Sequence, residues 1–312
     1  MAEQLGLEGM PQRLYPCTPS RLNTWLECPR RYRMTYLDRP APPKGPPWAH
    51  NSLGLSVHNA LASWWRLPLP ERTPEAAGTL LLRGWIAEGF RDAAQSAAWR
   101  ERARRWVERY TGGLDPVAEP VGVERTVAVK TLRIALQGRI DRLDDRDGQL
   151  VVVDYKTGRR EPTADDARTS LALGGYAVAA AHVLRRPCRR VELHHLPSGT
   201  VAAWEHTAES LQRHIDRAEQ IAAEASAADE AYRTGPAPAA SVRFDLADEQ
   251  AQRAYHEPFD EVFPPRTGPL CAWCDFNRVC PEGRRTAPAK DPWAAVTAAE
   301  DEEGPASPAD SA

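Results

Sequence analysis

Between Leu132 and Gly158 the chain restricts its own folding more tightly than anywhere else along its length. Leu132, Ile134, Leu136, Ile140 and Leu143 mark one strand, and Leu150 to Val153 open a second. Asp147-Gly148 between them is a strong short-hairpin signal. With those two residues as the turn, the register sets Asp141 directly opposite Asp154, β-carbons about 5 Å apart. Side chains alternate along a strand, so Lys156 joins Asp154 on that face while Tyr155 points away. Two facing carboxylates repel, a poor arrangement for stability unless a cation sits between them. Register alone therefore describes a metal-site geometry.

The charged pair is unusual in its setting. Val151-Val152-Val153 is an unbroken apolar run, which implies a strand buried on both faces, where an idle Asp154–Lys156 pair would be costly. On an exposed strand the same pair would be worth about 0–1 kcal/mol. Only four lysines occur, at 44, 130, 156 and 290, and arginine fills the other positions of that kind. Arginine stays protonated, whereas a lysine beside a metal can lower its pKa and orient or deprotonate water.

The 312 residues allow one large domain or two small ones, with ample material for a core. No apolar run is long enough to span a bilayer, and the N-terminus lacks a basic region followed by an apolar stretch. The expectation is a cytoplasmic protein without membrane association. Six cysteines in a reducing compartment favour metal or cluster binding over disulfides. The formal charge of −3 hides an acidic end: residues 287–312 hold six acids against Lys290, and the remainder is net positive. Arginines cluster at 30, 31 and 33, at 100 to 109, and at 185 to 190. Such clusters could follow a phosphate backbone, though solvated helix faces are the commoner case, and charge alone does not decide function.

Residues 1–16 lack periodicity and read as a flexible terminus. Thr18-Pro19 pairs an N-cap with a proline at the first helical position, starting a helix through Leu22, Trp25 and Leu26. A proline-rich stretch over 40–47 reads as a stiff linker or extended loop. Helices follow around His58 and over 76–111, then strand material over 121–130 and the hairpin. Residues 165–185 suit a helix that Gly174-Gly175 weakens. Val191–Leu196 and Thr200–Trp204 suggest a second hairpin, and 207–233 a long helix. From 287 the alanine, proline and acidic composition reads as a disordered tail. The order is that of an α/β core with added helices.

His58 lies on an amphipathic helix, where a hydrogen-bonded, half-buried histidine is commoner than a ligand. Glu124, one strand before the hairpin, could be a further ligand or a solvated carboxylate. The cysteines give an independent signal: Cys271, Cys274 and Cys280 have the spacing C-x2-C-x5-C, close enough to share one inorganic centre. A fourth ligand is needed, and Cys28 is the candidate. Such a centre would staple the two ends of the domain, although measured gains correlate weakly with loop length. Zinc and iron–sulfur both remain open on spacing. Cys17 and Cys188 are left over as structural.

In this order, TPSRLNTWLECPRRYRMTYL, GLSVHNAL, GRIDRLDD, VVVDYKTG, a tyrosine in the following helix and CAWCDFNRVC resemble the RecB-like branch of the PD-(D/E)xK nuclease superfamily. The resemblance is to members with a four-cysteine iron–sulfur cluster, such as AddB-like nuclease domains, and covers roughly residues 18–284. It implies a restriction-endonuclease-like fold, a mixed central sheet flanked by helices, with added N-terminal helices and a C-terminal cluster-binding segment. A single nuclease domain over 17–286 would follow.

The resemblance also implies that His58, Asp141 and Asp154 bind the catalytic metal, with the Tyr155 carbonyl contributing, and that Lys156 is the catalytic lysine. Cys28, Cys271, Cys274 and Cys280 match the ligands of a [4Fe–4S] cluster, which ranks iron–sulfur above zinc. Tyr176 matches the tyrosine of the next motif, but Ala172 stands where the family has glutamine. The implied activity is a Mg²⁺- or Mn²⁺-dependent DNA exonuclease in repair or recombination, acting on single-stranded DNA or DNA ends. Arg30 and Arg31 would approach the DNA backbone, and Trp64, Trp65 or Trp273 could stack bases. A non-catalytic DNA-binding or scaffold protein is the competing expectation, supported by Ala172. A third is a nuclease subunit for a separate helicase, since no G-x4-G-K-[ST] phosphate loop occurs in this sequence.

Overall fold

The computed structural model describes residues 14–235 and 248–297. Its first element is a strand, β1 (Tyr15–Cys17), which corrects the reading of residues 1–16 as structureless at Tyr15 and Pro16. Three residues carry no periodicity of their own, and what orders them is parallel pairing with Ile134–Leu136. Thr18 then starts α1 (Pro19–Glu27), its Oγ1 accepting the Arg21 N–H at 3.1 Å. After Cys28 comes α2 (Pro29–Tyr36). The proline-rich segment forms no helix or strand, and α3 (Ala49–Trp64), α4 (Pro74–Arg83) and α5 (Ala93–Gly112) follow.

Three antiparallel strands come next: β2 (Gly122–Lys130), β3 (Ile134–Arg146) and β4 (Gln149–Lys156). Asp147 and Gly148 have φ of +52° and +84°, the two positive values a type I′ turn requires. Arg146 pairs with Gln149 and Arg142 with Val153, the register expected from the turn. The single helix expected over 165–185 is two, α6 (Ala164–Thr169) and α7 (Leu171–Leu184). Ser170 leaves the helical region at ψ 111° and caps α7 by accepting the Leu173 N–H at 3.2 Å. The second hairpin forms as β5 (Cys188–His195) and β6 (Val201–Glu205), followed by α8 (Ala208–Thr234), α9 (Glu249–His256) and α10 (Pro281–Thr286).

The six strands make one mixed sheet in the order β1-β3-β4-β5-β6, with β2 also on β3; β1–β3 and β4–β5 are parallel. One face packs Ile140, Val152 and Val191 against Leu22, Leu173 and Ile221 of α1, α7 and α8. The other packs Val151, Val153 and Tyr155 against Leu61, Leu81 and Trp106 of α3, α4 and α5. Helices thus cover both faces of the sheet, the α/β arrangement expected, and Val151–Val153 are buried on both sides, at most 2% exposed.

The expectation of disorder from residue 287 is corrected for its first part. The Lys290 N–H donates to Ala272 O at 3.0 Å, the Ala49 N–H to Pro292 O at 3.1 Å, and Val296 is 2% exposed in the α3–α5 core. Trp293 and Val296 supply apolar area that the surrounding alanine and proline masked. The rest of that expected tail, and residues 1–13, lie outside the described residues. No described helix is long and apolar enough to cross a membrane.

Candidate active site

Strand alternation breaks where the candidate ligands sit. β2 pairs Val123 with Arg142 and Arg125 with Ile140, and the ladder skips the Glu124–Asp141 step between them. Glu124 has φ +51°, an uncommon conformation for a residue with a side chain. Across this break Val123 packs towards α3–α5 but Val127 towards α1, α7 and α8. Unbroken alternation would put residues four apart on one face. Ile140 and Leu143, three apart, likewise share one core. Because β2 runs along one edge of β3, β1 and β4 share the other edge at opposite ends, with residues 137–141 between them.

Asp141 is fixed in that interval. Its Oδ2 accepts the Tyr155 N–H at 2.9 Å, and its Oδ1 lies 3.3 Å from His58 Nδ1. His58 Nε2 lies 3.2 Å from the Tyr155 carbonyl oxygen. Gly54, one turn earlier on α3, helps to bring His58 this close: a Cβ there would sit 3.3 Å from Thr157 Oγ1. Glu124 pairs with Arg139 at 2.7 Å. One ligand atom from each of His58, Glu124 and Asp141 lies within 4.8 Å of the others, the only such group among the described residues.

Asp154, expected beside His58 and Asp141, lies outside that group. Its Oδ2 is buried, 2.5 Å from Lys156 Nζ, and has no aligned hydrogen-bond partner. The Tyr155 ring does point away, 4% exposed and 5.6 Å from the Tyr110 ring.

The charges strain against one another. Burial lowers the His58 pKa, but the Asp141 hydrogen bond and the fields of Asp141, Asp154 and Glu124 outweigh it and raise it overall. Burial raises Asp154, as does Asp141, against Lys156 and His58. Glu124 is raised chiefly by burial, with Arg139 opposing and Asp141 adding to it. Oxygen and imidazole donors holding repelling negative charge suit a hard divalent cation. Tyr176, from α7, lies over Gly138: a Cβ there would come 2.1 Å from Tyr176 Cε1. Burial, then Asp154 and Asp141, push its phenol up to about 12. Ala172 is half-buried in the first turn of α7.

Cys28, Cys271, Cys274 and Cys280 line one cavity, although Cys28 is far from the others in sequence. No three of their sulfurs lie within 4.8 Å of one another. Gly283 borders them, a Cβ there falling 3.4 Å from Cys280 Sγ and 3.5 Å from Cys271 Sγ. Burial pushes the Cys274 thiol up to about 11 and raises Cys280 as well. Cys17 and Cys188 sit apart, in the main core.

Of the two arginines beside Cys28, Arg30 is turned inward. Arg30 is 1% exposed, paired with Glu282 and Asp260 and 3.5 Å from Cys280 Sγ. Arg31 is half-buried and pairs with Glu27 at 2.7 Å. Trp64 and Trp65 are core residues, and Trp273 packs 5.4 Å from Trp48.

A family model for the PD-(D/E)XK nuclease superfamily matches residues 16–281. No curated protein matches the sequence. Among solved structures, a protein from Eubacterium rectale whose name proposes an exonuclease is similar over 73% of this chain and 88% of its own. The identity is 9% and the TM-score 0.43.

Proposed function

This chain belongs to the PD-(D/E)XK nuclease superfamily, and from that membership we propose a DNA exonuclease of the RecB-like branch that works with Mg²⁺ or Mn²⁺. Repair or recombination in the cytoplasm is its setting, on single strands or DNA ends, with any unwinding left to a separate helicase. The observation that carries this reading is the convergence of His58, Glu124 and Asp141 at a broken strand step, beside the Asp154–Lys156 pair.

His58, Glu124 and Asp141 would hold the cation, with the Tyr155 carbonyl and Asp154 as the nearest further oxygens. A bound cation there supplies a Lewis acid for the scissile phosphate and acidifies a water. Asp141 holds the Tyr155 amide and so fixes the backbone between Asp154 and Lys156. Asp154 holds the Lys156 ammonium at a half-exposed position, where it can orient the attacking water or a phosphate oxygen.

The test is digestion of end-labelled single-stranded DNA with Mg²⁺ or Mn²⁺. Lys156→Ala and Asp154→Ala should each lower the rate at least 100-fold, and unchanged activity in either would sink the assignment. Ala172 supports a second reading, a DNA-binding protein without catalysis; binding with no cleavage across substrates and both metals would favour it.

We further propose that Cys28, Cys271, Cys274 and Cys280, which line one cavity, hold a [4Fe–4S] cluster. Anaerobically purified protein should absorb broadly near about 400 nm and contain iron; colourless protein with stoichiometric zinc would overturn the cluster.

A further inference from the structure

A second cavity, of about 680 Å³, lies between α1, the α6–α7 junction, the end of β6 and the first turns of α8. None of the residues around Asp141 or the four cysteines lines it. Its charge is positive: Arg168, Arg213 and Arg217 line it against one acid, Glu205. Arg213 and Arg217 are exposed and one turn apart on α8. Arg168 pairs with Asp165 at 2.5 Å, an exposed pair that exchanges partners at little cost. Its guanidinium also lies 5.8 Å from the ring of Trp204, an exposed tryptophan on the cavity wall.

Ser170 and Leu171 bring the α7 N-terminus into the same wall. This 14-residue helix has no acid in its first turn, and the Ser170 cap takes only the Leu173 N–H, so its positive end is uncompensated. His206 stands in the same wall. It lines the cavity, is 2% exposed, and bonds Ser210 Oγ at 2.9 Å through Nδ1, while its buried Nε2 has no partner. Such a group is costly unless something bonds it. The Ser210 hydroxyl donates to the Thr207 carbonyl at 3.0 Å, so Nδ1 carries the ring proton and donates to Ser210 Oγ, leaving Nε2 a buried acceptor. Burial, and then the nearby His214, Arg168 and Arg213, push the His206 pKa down to about 4.

We propose that this cavity binds a backbone phosphate of a nucleic-acid strand, with Trp204 as the platform for an adjoining base. Arg213, Arg217 and the α7 N-terminus supply donors suited to a phosphate, and an aromatic ring beside them suits a base of any identity. The assignment to a strand rests on the nuclease reading. α7 connects the sites: Ser170 stands at the cavity and Tyr176 over Gly138, about 9 Å apart along the helix axis.

The test is fluorescence polarisation of a labelled oligothymidylate with the full chain in Ca²⁺, which slows cleavage, across a salt series, alongside cleavage kinetics in Mg²⁺ or Mn²⁺. Arg213→Gln with Arg217→Gln should weaken binding at least tenfold. The slope of log affinity against log salt should become shallower by about 1.4, from about 0.7 per lost phosphate contact on a single strand. Trp204→Ala should weaken binding several-fold with little change in slope, and cleavage by the arginine variant should show a raised KM with kcat within twofold. Unchanged affinity and slope in a protein that still cuts DNA would overturn the cavity assignment and leave the nuclease standing. Weakened binding in a protein that cuts nothing would remove the nuclease and keep the cavity. Full protection of the cavity by millimolar thymidine monophosphate, without loss of oligonucleotide binding, would make it a free-nucleotide site and overturn the strand assignment.

Discussion

Gly138 shows how much one side chain's absence can determine. The Tyr176 ring occupies the volume a Cβ would need, with Cε1 2.1 Å from it. Gly138→Ala therefore has to push the ring aside, and overpacking of this kind costs about 1–3 kcal/mol. Urea unfolding should show that loss in the wild-type background. In a Tyr176→Ala background the same change should cost less than about 0.5 kcal/mol, because the obstruction is gone. Equal costs in both would show that the ring is not what excludes the methyl group. Lys156 was legible from its rarity and Asp154 from the strand pattern. Gly138 was not, because a strand glycine reads equally as a bulge, a bend or a close approach. Arg30 was misread for a related reason: its partners, Asp260 and Glu282, lie more than 200 residues away, and no local pattern distinguishes a buried guanidinium from a solvated one.

The hairpin of β3 and β4 was written in its own residues, since the Asp147-Gly148 turn and the apolar alternation fix the same register. The break opposite it was not. Glu124 carries no turn chemistry, yet it takes φ +51° and interrupts the pairing of β2 with β3. Tertiary packing on two sheet faces imposes this conformation, and it moves a carboxylate judged a marginal ligand into the central group while Asp154 turns to Lys156. A left-handed conformation costs a residue with a Cβ about 1–2 kcal/mol and costs glycine almost nothing. Glu124→Gly should therefore be about 1 kcal/mol more stable than Glu124→Ala in urea unfolding, while both lose metal-dependent cleavage to the same extent. An alanine variant as stable as the glycine variant would mean that the strand relaxes out of this conformation once the carboxylate is gone.

On the scale of the whole molecule, the chain closes on itself around the cysteine cavity, and His256 is the fastening that carries a testable signature. It is 1% exposed; its Nδ1 lies 2.9 Å from the Arg33 guanidinium of α2, and its Nε2 lies 2.8 Å from the Val279 carbonyl, next to Cys280. Arginine can only donate and a carbonyl can only accept, so the ring is neutral with the proton on Nε2. Burial and the charges of Arg30 and Arg33 push its pKa down to about 3. The unfolded chain takes up this proton near pH 6.5 and the folded chain does not until near pH 3, so stability is lost as pH falls through that window. At pH 5 the loss from this residue is about 2 kcal/mol. Asp154, Asp229 and Glu124, whose pKa values are raised, act with the opposite sign, so the total slope is no test of His256. The difference from His256→Gln is, because glutamine can still donate to Val279 and does not titrate. Urea unfolding at pH 7.5 and pH 5 should show the wild type losing about 2 kcal/mol more than the variant. Parallel pH profiles would mean that the closure does not depend on a neutral ring at residue 256.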